Sequence, residues 1–170
     1  MIFDDLVPKE EVWPADSHWS RRRADALIKR YQQTFPLIHY DLFWDTRLLN
    51  AQAFIGGRGR CVRLYGGLGR HRKVGIEGLA FALAHETGHH LGGPPRHPFY
   101  SSLSSERRAS EWALTSGLPQ VFGDTVGQRY GRHGLIQLAA LWPRHLSDID
   151  PAPFDFCCDD VPERVVSSTF

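Results

Sequence analysis

The segment "AHETGHH", residues 84–90, sets two histidines four positions apart with a glutamate directly after the first. On a helix, residues at i and i+4 stack one turn apart on one face, so the imidazoles of His85 and His89 can converge on a single ion. Glu86 then projects beside the ion, where a carboxylate can take a proton from an attacking water. The surrounding run, "LAFALAHETGHHLGG", is otherwise apolar. Burying each imidazole alone requires a separate hydrogen-bond partner, whereas one divalent ion satisfies both. The pattern therefore implies a hydrolytic zinc site that still lacks a ligand. His90 points to another face and is expected to make an ordinary hydrogen bond. Gly88 is a poor helix former, so a close-packed neighbour or a substrate against the backbone must account for it.

A catalytic zinc takes three protein ligands and leaves one position open. Gly92 stands where an H-E-x-x-H-x-x-G-x-x-H pattern has its glycine, but Pro95 occupies the histidine position and His97 comes two residues late. Glu106, in "SERRASEWAL", is far enough from His89 for a loop and a helix reversal to bring its carboxylate back. Ser110, one turn on, shares that face and can hydrogen-bond a ligand. Glu111 points elsewhere on an ideal helix and is the second choice. A glutamate in a first helical turn also suits the helix dipole with no metal involved.

Taken in chain order, Asn50, Ala51 and Ala53, then Gly67 and Leu68, then His85, Glu86 and His89, and finally Glu106, Ala109 and Ala113 carry a resemblance. They resemble the gluzincin metallopeptidases, especially the soluble minimal relatives of the CAAX-processing and stress-induced membrane proteases. Those families have an N-A-x-A segment, an edge strand ending in Gly-Leu, the H-E-x-x-H helix and an E-x-x-A-D-x-x-A helix. The resemblance covers residues 48–114. It implies a zincin-like α+β fold, a small mixed β-sheet or hairpin packed on the H-E-x-x-H helix and on a following glutamate-bearing helix. It further implies zinc held by His85, His89 and Glu106, and hydrolysis of a peptide or protein substrate with Glu86 as general base. Where the family has aspartate, this chain has Ser110, which steadies a histidine more weakly and without charge.

"CVRLY" resembles the family's edge strand, which implies that Val62, Arg63, Leu64 and Tyr65 receive an extended peptide through backbone hydrogen bonds. An oxyanion donor is implied downstream of the glutamate helix, where Arg129, Tyr130 and His133 are the right types, with His133 preferred. A second reading keeps the zinc and the edge strand but not the catalysis, giving a metal-binding interaction domain.

Local patterns supply the elements that must position these groups. Apolar spacing predicts helices over 20–35, with Ser20 as N-cap and Pro36 as stop, and over 74–91, 102–116 and 127–142. Residues 37–44 read as a strand, and the stretch from Ala51 to Gly67 as two strands around a glycine-rich turn. Gly56, Gly57 and Gly59 are followed by neither GK[ST] nor a helix, so they mark a turn and not a phosphate cradle. One domain is expected over 1–149, with an extended tail over 150–170. In that tail Cys157, Cys158, Asp159 and Asp160 offer groups able to cover an open zinc position as a latency segment.

Lys and Arg number 20 against 19 Asp and Glu, a net charge of +1, so no global field draws the protein to nucleic acid or acidic lipid. Arg58, Arg60, Arg63, Arg70, Arg72 and Lys73 cluster around the hairpin as the alternative reading of a nucleic-acid module, while the triplet Arg21, Arg22 and Arg23 on a first helical turn reads as a solvated face. No run of about 18 apolar residues occurs, and the N-terminus lacks a basic region followed by an apolar one. Synthesis in the cytoplasm without a membrane partner is expected, and export by a route that leaves no hydrophobic mark stays open. Three cysteines, an odd number, suit a reducing interior.

Overall fold

The structure, a computed structural model, describes residues 6–141. Within them the chain is a mixed α+β fold whose small sheet packs against helices. Helix α1 is His18–Thr34, burying Ala24, Leu27 and Tyr31 at helical spacing. It starts earlier than Ser20, whose hydroxyl instead donates to the Ser17 carbonyl. Three strands follow: β1 (His39–Phe43), β2 (Ala51–Gly56) and β3 (Gly59–Tyr65). Strands β2 and β3 form the expected hairpin, closed by Gly59 in the left-handed region at φ 84°, where glycine has no side chain to strain.

The sheet order is β1-β3-β2, with β3 parallel to β1 and antiparallel to β2. This corrects the expectation that Val62, Arg63, Leu64 and Tyr65 form an edge. Strand β1 adds to the far side of the hairpin, pairing Tyr40 with Val62 and Phe43 with Tyr65. The β3 backbone is therefore engaged on both sides and cannot receive a peptide. Among the described residues, the edge of the hairpin that no further strand covers is that of β2. The outer edge of β1 is partly closed by Gln32, whose side-chain Oε1 accepts the Tyr40 N–H at 3.1 Å.

A single turn, α2 (Gly66–Gly69), leads into α3 (Ile76–Leu91), which is buried continuously from Gly78 to His90. Such burial follows from its position, with β2, β3, α1 and the later helices packed around it. After the loop come α4 (Glu106–Trp112), a π-helical segment at Ala113–Gly117, α5 (Leu118–Phe122) and α6 (Asp124–Leu141). The core joins Tyr31, Val62, Leu64, Phe81, Leu83 and Leu118 across these elements. Glycines set the closest approaches to α3. A Cβ on Gly134 of α6 would collide with the Glu77 carbonyl, and one on Gly88 with that of Ala109 in α4. Among the described residues no helix is long and apolar enough to cross a membrane. The expected tail, with Cys157, Cys158, Asp159 and Asp160, lies outside the described residues.

Candidate metal centre

Helix α3 presents His85 and His89 one turn apart, with ring centroids 4.8 Å from each other and planes at 86°. Each ring is fixed through Nδ1. His85 Nδ1 lies 2.9 Å from the Ser110 hydroxyl on α4. His89 Nδ1 lies 2.8 Å from the Ser104 carbonyl, and the Ser104 N–H returns a 2.7 Å bond to the His89 carbonyl. A carbonyl only accepts, so His89 carries its proton on Nδ1 and, when neutral, turns a bare lone pair on Nε2 toward Glu106.

Glu106 opens α4, where Ser105 caps the helix by accepting the Arg108 N–H. Its Oε2 stands 3.1 Å from His85 Nε2 and 3.5 Å from His89 Nε2. The second contact is too long for a good hydrogen bond, and His89 Nε2 is a buried atom without a hydrogen-bond partner among the described residues. Ligands of a tetrahedral zinc with bonds of about 2.0–2.1 Å are themselves roughly 3.3 Å apart, so this spacing suits a shared ion. Two imidazole nitrogens and a carboxylate are also a donor set that zinc accepts. Burial would raise the Glu106 pKa, but the His85 and His89 imidazoles hold its carboxyl well below the ordinary carboxylate range. Burial would lower the His89 pKa, yet the Glu106 and Glu86 carboxylates more than offset it and raise it. Glu106 is 46% exposed, so the cluster opens to solvent on its side.

Glu86 is buried beside the histidines, and one donor atom from each of His85, Glu86 and His89 lies within 4.8 Å of the others. Its Oε2 accepts the Ala53 N–H of β2 at 2.7 Å. Gly88 makes this assembly possible, because α4 crosses α3 with the Ala109 backbone against it.

The other candidates have these surroundings. Glu111 is held by Arg107 and Arg108 at 2.9 and 3.2 Å. His97 packs on Phe99 and Tyr100 and accepts the Phe99 N–H, within its own loop. His133 is exposed on α6, and its imidazole makes no hydrogen bond or ion pair with the described residues. Tyr130 stacks on Phe122, with the Arg129 guanidinium over its ring. His90 donates or accepts nothing within the cluster; its Nε2 bonds the Cys61 carbonyl at 2.9 Å. The basic grouping is broken up as well: Arg63 is paired with Asp41 at 2.7 Å, and buried Arg70 donates to the Trp13 and Thr46 carbonyls.

Two groups escaped the sequence reading, the Ser104 carbonyl and the Ala53 amide. Both are backbone atoms, which no residue letter reports, although Ala53 did lie in the N-A-x-A segment. Comparison with known family profiles, with characterised proteins and with solved structures returns no match.

Proposed function

We propose that this chain is a zinc-dependent endopeptidase of zincin type, with His85, His89 and Glu106 as metal ligands. The observation that carries the reading is the buried Nε2 of His89. Its ring has committed its N–H to Ser104, which leaves a lone pair in need of a partner beside a second imidazole and a carboxylate. Zinc bound there supplies Lewis acidity, lowering the pKa of a water to about 7 and polarising a carbonyl oxygen.

The residues of the chain do the rest. Ser104 and Ser110 hold the two rings in orientation, so the ligands need not reorganise during reaction. Glu86 accepts the proton of the attacking water and passes it to the leaving amine. An extended peptide fits the free edge of β2. In an antiparallel ladder, residues between hydrogen-bonded pairs turn their N–H and C=O groups outward, and Ala51 and Ile55 occupy such positions.

Glu86→Gln tests this reading. An endopeptidase loses about 10²- to 10⁴-fold in kcat while keeping its zinc, measured on an internally quenched peptide library and by metal analysis. A wild-type protein that holds zinc and cleaves no library member contradicts it and favours the metal-binding interaction domain.

A further inference from the structure

We propose that the backbone N–H of Ala53, on the free edge of β2, is the group that positions Glu86 for proton transfer. The inference rests on the metallopeptidase reading and adds to it a named positioning group. Glu86 is only 3% exposed, and a buried carboxylate needs donors. Ala53 supplies one at 2.7 Å, a charge-assisted bond from a rigid strand to a side chain on a rigid helix.

The sheet gives up nothing for this bond. The Tyr65 N–H donates to the Asn50 carbonyl, which sets the phase of the β2–β3 ladder. Gln52↔Arg63 and Phe54↔Cys61 are then the hydrogen-bonded pairs, and Ala53↔Val62 falls between them with its N–H turned outward. The Ala53 side chain is buried, so its methyl group takes no part. The strand that receives the peptide and the strand that holds the base are one and the same. Substrate docking and proton transfer therefore share a single backbone, and the position of the base is referenced to the peptide it serves.

Only proline deletes this donor. Ala53→Pro is compatible with an outward N–H on an edge strand, and Gln52 before it is already extended. In the full-length zinc-loaded protein, on the best-cleaved member of the quenched peptide library, kcat is expected to fall about 100-fold, as for a misplaced catalytic group. KM stays within about threefold and the zinc content is unchanged, because the ligands are untouched. A kcat within about threefold of wild type overturns the inference, and so does a loss carried by KM, which would make the Ala53 amide a docking group only.

Amide hydrogen exchange tests the bond without turnover and without the proline. The Ala53 amide is expected to exchange slowly in the wild type and at least about tenfold faster in Glu86→Ala, while the Phe54 amide keeps its rate. An unchanged Ala53 rate overturns the inference. A wild type that cleaves no peptide overturns the metallopeptidase reading itself, whereas full turnover in Ala53→Pro overturns this inference alone.

Discussion

On one face of α3, His89 gives its Nδ1–H to a carbonyl and turns Nε2 toward the Glu106 carboxylate; on the next face, His90 bonds a strand carbonyl through Nε2. Both rings are buried and they are adjacent in the chain. Their surroundings give them opposite character. Burial pushes the His90 pKa below its ordinary value, and Arg60 and His89 add to that effect beyond what the Cys61 carbonyl offsets. His89 is pulled the other way by Glu106 and Glu86. A buried imidazole facing a carbonyl is neutral and structural, whereas one facing carboxylates is prepared to hold a cation. The same contrast separates α3's contact with α4, where the two imidazoles meet Glu106, from its contact with the sheet.

Breaking the α4 side has the largest expected effect. In Gly88→Val the new Cβ meets Ala109 backbone atoms, which cannot swing aside, so α4 and Glu106 must shift. Overpacking of this kind costs about 1–3 kcal/mol, and zinc affinity falls with it; chemical denaturation and metal competition measure the two losses. Ser110→Ala acts on the same side more gently. Without a partner for Nδ1 the His85 ring is less well oriented, and zinc affinity drops about 10- to 100-fold with little change in folding stability.

The sheet side should respond in the opposite sense. His90→Ala leaves the Cys61 carbonyl without its partner and removes a packed ring, costing about 1–3 kcal/mol of stability while zinc stoichiometry stays the same. The smallest effect is in pH. Buried His71 and His90 both have folded-state pKa values below the ordinary 6.5, His71 because burial outweighs the nearby Glu11 carboxylate. The unfolded chain then binds more protons, so their contribution is present above pH 6.5 and is lost as pH falls through that value toward the folded pKa. The stability difference between wild type and His90→Ala, read from denaturation midpoints of the metal-free proteins, should therefore narrow as pH falls from about 7.5 to about 5.5.

Helix α3 could be read from sequence because its signal is local. A four-residue spacing, an apolar run and the Gly92-Gly93-Pro94-Pro95 break all lie within one element, and α3 ends at Leu91 as the break implies. Gly88 could be read as a close approach, though not against which neighbour. The α4 boundary was less legible. A helix over 102–116 was expected, but Ser104 is spent on His89 and Ser105 on the Pro95 carbonyl and the cap, so α4 begins at Glu106. The parallel pairing of β1 with β3 was invisible, because it joins His39–Phe43 to residues about 22 positions away without a turn to announce it. That pairing is why β3 reads as an edge strand in the sequence and is the central strand in the fold.

The central claim is that the carboxylate-facing side of α3 holds a metal. Its most direct test is metal analysis with X-ray absorption at the zinc edge on the full-length protein after equilibrium dialysis against zinc. One zinc per chain, bound by two imidazole nitrogens and a carboxylate oxygen and lost in His89→Ala, is the predicted result. A protein that stays zinc-free, or one whose zinc survives His89→Ala with its coordination unchanged, contradicts the account.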